Sequence, residues 1–147
     1  AVGLFYGDID GGDLLDQLDI AGGAQVADAP VFSGGPVSRD RGFVLHTLDV
    51  NLGPATLEVS HSLGLTATKE ILDALASDRP PERFLMTLGY AGWEAGQLED
   101  EIGANAWLVC EADDSLLFAA DETTKWNSAL KTLGVTPEFL AASSGHA

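Results

Sequence analysis

Basic residues are scarce in this chain, and sulfur is scarcer. Seven Lys and Arg stand against 23 Asp and Glu in 147 residues, a formal charge of −16. Proteins that grip duplex DNA set on the order of 6–10 phosphate contacts through Lys and Arg, which would consume the whole basic complement, so direct DNA binding is not expected. The single cysteine, Cys110, excludes an intrachain disulfide and a cysteine-built zinc site. Its alternation with Leu108 and Ala112 predicts an inert, packed thiol. No run approaches the roughly 18 apolar residues of a membrane span, and no charged-then-apolar leader opens the chain. The expectation is an acidic, soluble, cytoplasmic protein without membrane contact. His46, His61 and His146 have no His or Cys at ligand spacing, so neither a metal site nor a cofactor is expected.

Apolar residues, by contrast, make up 46% of the chain. At this length folding buries roughly two-thirds of the unfolded surface, which is enough for one core and predicts one domain over residues 1–147. Val2 to Tyr6 reads as a strand whose partner is missing, and Leu14, Leu15 and Leu18 behind Asp13 predict a short amphipathic helix. Val31-Phe32 leads into the Gly34-Gly35-Pro36 turn. Phe43–Leu48 and Ala55–Ser60 are expected to pair as a β-hairpin. Thr66 or Thr68 can cap a helix with Ile71, Leu72 and Leu75 inward, and Phe84–Leu88 reads as a buried strand. A helix over about Ala95–Ala104, a strand at Trp107–Glu111, and a helix with Trp126, Ala129, Leu130 and Leu133 on one stripe complete the pattern. The stripe helix closes at Gly134, and Thr136-Pro137 opens a last turn. This predicts an α/β chain with a mixed sheet covered by helices on both faces, a three-layer sandwich.

Three features carry candidate chemistry. The Asp8, Asp10, Asp13, Asp16 and Asp19 run does not match a calcium loop, because Gly12 and Asp13 fall where a ligand and the sharp-turn glycine belong. It reads as a solvated acidic face. Gly34 to Gly42 joins a glycine turn to Arg39 and Arg41, two of the seven cations; backbone N–H groups and Arg forks of this kind can hold carboxylate or phosphate. In the Gly89–Glu101 segment a buried strand ends in Gly-Tyr-Ala-Gly-Trp, followed by Glu94, Glu99, Asp100 and Glu101. Acids in a first helical turn are ordinary, and a structural role is favoured for them over that of a general base or of ion-pair partners for Arg39 and Arg41. His46 shares a strand face with Val44 and Leu48, the setting of a hydrogen-bonded core histidine.

Gly34-Gly35-Pro36-Val37 with Arg41-Gly42-Phe43-Val44-Leu45-His46, Leu65-Thr66-Ala67-Thr68, Gly89-Tyr90-Ala91-Gly92-Trp93 with Gly96-Gln97-Leu98-Glu99 and Glu101-Ile102, and Asn105-Ala106-Trp107-Leu108 closely resemble the YqgE/AlgH family of bacterial proteins. The match runs in order from about residue 31 to the C-terminus. The resemblance implies a compact three-layer α/β/α-like domain with a mixed sheet, and no particular reaction. Members are mostly uncharacterised and often labelled transcriptional regulators. They usually begin with a further strand-containing stretch, so the chain is expected to be truncated at its N-terminus relative to the family, and an open sheet edge would be a place for self-association.

The leading expectation is a non-enzymatic regulatory or binding module. The Gly34–Arg41 and Gly89–Glu99 turns would adjoin at one end of the sheet and take a small anionic ligand or a protein partner's acidic group. Gly34 and Gly35 would allow close approach, Arg39 and Arg41 would hold the charge, and Tyr90, Trp93 and Gln97 would shape the wall. The alternative is a hydrolase or transferase with His46 or Glu99 as base on a phosphorylated or nucleotide substrate.

Overall fold

The computed structural model describes residues 5–9, 29–118, 122–136 and 138, with residues 5–9, 122 and 123 described by backbone alone. The expected helix at Asp13–Leu18 lies outside the described residues. Contacts divide the chain into two compact units, Ala1–Gly92 and Trp93–Ala147. The first holds β1 (Phe5–Ile9), β2 (Val31–Ser33), β3 (Val37–Thr47), a 3-10 turn (Gly53–Ala55), β4 (Thr56–Glu58), β5 (Leu63–Thr66), α1 (Lys69–Leu75) and β6 (Phe84–Tyr90). The second holds α2 (Gln97–Gly103), α3 (Asp114–Leu117) and α4 (Glu122–Thr132).

The strands form one mixed sheet in the order β1-β2-β6-β3-β5-β4. Only β2 and β6 run parallel; every other neighbouring pair is antiparallel. β1 pairs with β2, Phe5 opposite Ser33 and Ile9 opposite Val31, so the opening strand does have a partner. Register places Val31, Met86, Val44, Thr66 and Thr56 in one row across five strands. The apolar end of the row, Val31, Met86 and Val44, forms the core with Ile71 and Leu75 of α1. Those two residues are i and i+4, so a helix of only seven residues delivers both to the sheet, as its apolar spacing predicts.

The expected hairpin between Phe43–Leu48 and Ala55–Ser60 is not formed. β5 lies between them, antiparallel to β3 and to β4. Its Leu-Gly-Leu-Thr sequence is short and holds a glycine, which reads as a loop, yet the glycine is there for space. A Cβ on Gly64 would sit 2.6 Å from Thr56 Cγ2 and 2.9 Å from Leu48 Cδ2. β3 is also longer than expected, beginning at Val37 instead of Phe43.

In the second unit, α2 and α4 form close to their expected spans, and Gly134 at φ 68° ends α4. Asp113 caps α3 by accepting from the Leu116 N–H at 2.8 Å. Two expectations fail. Trp107–Glu111 is not a strand, and Trp107, Leu108 and Val109 are 38, 51 and 63% exposed. An apolar run becomes a strand only where another strand lies alongside, and every described strand belongs to the first unit. Cys110, expected on the apolar face of that strand, is accordingly half-buried. The expected stripe of α4 keeps Leu130 buried and Ala129 and Leu133 half-buried, but Trp126 is 52% exposed and Lys125 is buried in its stead. No helix among the described residues is long and apolar enough to cross a membrane.

Gly34 is the tightest point of the sheet. Its N–H donates to Leu88 O at 2.6 Å, and a Cβ there would meet Gly89 O at 2.2 Å. Gly34→Ala is expected to lose at least the roughly 1–3 kcal/mol typical of overpacking, because the obstacle is backbone. Gly42→Ala, whose nearest neighbour would be a leucine methyl at 4.0 Å, should change little. Urea unfolding of the two variants measures the contrast.

Candidate functional site

The two glycine segments of the first unit do come together. A Cβ on Gly35, whose φ is 146°, would lie 2.3 Å from Tyr90 C and 2.5 Å from Ala91 N. One on Gly89, at φ 75°, would lie 2.6 Å from Gly35 O. The space left by the missing side chains is therefore filled by protein backbone, and the glycines serve a chain crossing.

The crossing reshapes β3. Val37 pairs with Tyr90 and Gly42 with Leu88, so Ser38, Arg39, Asp40 and Arg41 together face the single residue Gly89. The surplus residues form a wide bulge, which Ser38 enters with φ 46°. The expected turn with two arginines is thus a bulge within a strand. Its residues are exposed, since a bulged backbone leaves the ladder and carries its side chains outward. The Arg41 guanidinium stands 5.5 Å from the centroid of the Phe43 ring, which meets Tyr90 edge-on at 5.7 Å. Neither Arg39 nor Arg41 forms an ion pair with a described residue.

A pocket of about 250 Å³ opens in the same unit, between the β3 and β6 strands and the start of α1. Val44, Ile71, Leu72, Met86 and Leu88 give it apolar walls; Asp40, Thr68, Lys69 and Thr87 supply its polar groups. Sequence reasoning did not find it, because the pocket depends on where α1 crosses the sheet.

His46 is fully buried, as its strand face predicts. Its Nδ1 lies 3.0 Å from Thr47 O and its Nε2 2.9 Å from Thr66 Oγ1. A carbonyl can only accept, so Nδ1 carries a proton, and Nε2 shares a hydrogen bond with the Thr66 hydroxyl. Thr66 Oγ1 is 2.9 Å from Thr56 Oγ1, which accepts the Leu52 N–H at 3.1 Å. The Leu52 N–H, the Thr56 and Thr66 hydroxyls and the His46 ring thus form one hydrogen-bonded chain. Glu99, the other candidate base, is exposed.

In the second unit Trp93 and Gln97 converge on Glu101. The Trp93 and Trp107 indole N–H groups donate to Glu101 Oε2 at 3.0 and 2.6 Å, and the Gln97 amide donates to Oε1 at 2.9 Å. The Gln97 carbonyl oxygen accepts from the Glu94 N–H at 3.0 Å, and the two indoles meet edge-on at 5.7 Å. Gln97 and Glu101 are i and i+4 on α2, so the helix presents the amide and carboxylate together. The carboxyl is held below its usual 4.5, first by Trp107, then by Trp93 and Gln97. Among the acids of this segment the structural role falls to Glu101. The sequence shows Trp93 and Trp107 flanking a run of acids, but that the two indoles share one carboxylate, and which one, is decided by the fold.

No group of three or more His, Cys, Asp or Glu among the described residues could hold a metal ion.

Two measurements check these networks. Thr66→Val removes the hydrogen-bond partner of a buried ring nitrogen and should cost about 1–3 kcal/mol, read by denaturant unfolding. Because the Glu101 pKa is lowered on folding, the ionised carboxylate stabilises the fold above the unfolded value of 4.5, and this is lost as pH falls through the lower folded value. Tryptophan emission should shift in that acid range, and Glu101→Gln should abolish the shift.

The AlgH-like family model matches residues 6–138 of the chain. A UPF0301 protein from Caulobacter vibrioides is 46% identical over 136 residues, 92% of this chain and 70% of that protein. One from Ruegeria pomeroyi is 46% identical over 141 residues, 95% of this chain and 77% of its own. Among solved structures, the solution structure of the AlgH protein from Pseudomonas aeruginosa is similar with a TM-score of 0.70 and 37% identity, over 99% of this chain and 76% of that one. On these grounds the chain belongs to the AlgH-like family, UPF0301.

Proposed function

We propose that the chain is a non-enzymatic regulatory or binding module that takes a small anionic ligand, or the acidic group of a protein partner, at the Ser38–Arg41 bulge, with no direct contact to DNA. The observation that carries this reading is the arginine pair itself. In a chain with 23 acids and seven bases, Arg39 and Arg41 are exposed and form no ion pair with a described residue. The glycine crossing fixes the backbone that carries them, and Phe43 with Tyr90 gives Arg41 an aromatic seat. Guanidinium groups held in this way grip carboxylate or phosphate at two points.

A hydrolase or transferase using His46 or Glu99 finds less support. His46 has no solvent exposure and both its nitrogens are engaged, so a substrate could reach it only by opening the sheet. Trp93 and Gln97, expected to wall the ligand, spend their donors on Glu101, which leaves Tyr90 and Phe43 as the aromatic surface beside the arginines.

The test is a titration with inorganic pyrophosphate followed by thermal unfolding. At about 100 times Kd a ligand of the native state adds roughly 2.7 kcal/mol. The wild type should show this stabilisation and an Arg39→Ala plus Arg41→Ala variant should lose it. A wild type that does not respond, or a double variant that responds fully, overturns the reading. Binding to duplex DNA with a steep salt dependence would overturn its second part.

A further inference from the structure

We infer that the pocket between β3, β6 and α1 is a second binding site, specific for a small zwitterion with an apolar side chain, of the kind an aliphatic α-amino acid presents. The inference rests on the lining of the pocket and not on the binding role proposed for Arg39 and Arg41. Its walls are apolar, from Val44, Leu72 and Met86 among others, and its volume is about 250 Å³. That is small for a drug-sized ligand and suits a compact side chain. Two charged groups of opposite sign, Asp40 and Lys69, border it, and both are exposed. Neither forms an ion pair with the other or with any described residue.

Charge decides the class of ligand. A purely apolar molecule would leave an ammonium and a carboxylate unused at the mouth of the pocket. A simple organic anion would satisfy Lys69 and be repelled by Asp40, and a simple amine the reverse. A molecule carrying ammonium and carboxylate on one carbon meets both, with its side chain against the apolar wall. This is specificity by repulsion as well as attraction. Asp40 also lies within the bulge of β3, so the register shift that exposes the arginines is what brings this carboxylate to the pocket.

Three near-isosteric probes separate the possibilities: leucine, leucinamide without the carboxylate, and 4-methylpentanoate without the ammonium. Binding is read by NMR shift changes of the full chain and by calorimetry. Leucine is expected to bind, and the other two about ten- to hundredfold more weakly, as the loss of one charge-assisted contact implies. Asp40→Asn and Lys69→Gln should each weaken leucine to a similar degree; both side chains are exposed, so the fold is retained. Leucine affinity should be unchanged in the Arg39→Ala plus Arg41→Ala variant, which separates this site from the bulge. The inference is overturned if leucine does not bind, if 4-methylpentanoate binds equally well, or if leucine binding ignores Asp40→Asn and Lys69→Gln. Pyrophosphate binding that persists in those two variants would leave the arginine reading intact whatever leucine does.

Discussion

The passage of two backbones through one another's side-chain space is the constraint on which the first unit depends. Gly34 and Gly35 lie against Gly89, Tyr90 and Ala91 at distances that no Cβ could occupy. Once the chains are that close, β2 and β6 can pair in parallel only with Val31 opposite Met86, and β3 must absorb its surplus residues opposite Gly89. A slip of one residue would turn Val31 and Met86 away from α1 and dismantle the core. Packing and presentation of the arginines therefore have the same cause. The bulge is the geometric remainder of a crossing that the core requires.

The polar interior follows a similar economy. The row that begins with Val31 and Met86 ends with Thr66 and Thr56. There the hydroxyls and the His46 imidazole form a hydrogen-bonded chain, and no buried side-chain polar atom among the described residues is left without a partner. In the second unit a single carboxylate does comparable work by gathering two indoles and an amide. Both networks absorb residue types that elsewhere signal catalysis, namely His, Glu and Trp. Outside these networks the first unit presents the exposed Arg39 and Arg41 of the bulge, and Asp40 and Lys69 at the pocket, without an ion pair to a described residue.

Local patterns in the sequence were read with success where a single element settles its own geometry. Ile71 and Leu75 announce α1, the Phe84–Leu88 run announces β6, and Gly134 announces the end of α4, because period and capping act within a few residues. The failures share one property. β5 was hidden because Leu63-Gly64-Leu65-Thr66 looks like a loop unless Thr56 and Leu48 are known to crowd Gly64. Trp107–Val109 looks like a strand unless the lack of a neighbour is known. Composition and glycine context single out the arginines but present their setting as a turn, since a bulge exists only relative to the strand beside it.

Composition and local pattern, taken alone, determined the scarcity of cations, the mixture of helix and strand, and the glycine pairs as places of unusual backbone. They could do so because charge, periodicity and φ preference are properties of single residues or short windows. Strand order, the bulge at Ser38–Arg41, the sealed His46 chain, the Glu101 hub and the pocket were decided only by tertiary structure. Each of these is a relation between residues distant in sequence, and no property of either residue alone states which partner it will meet.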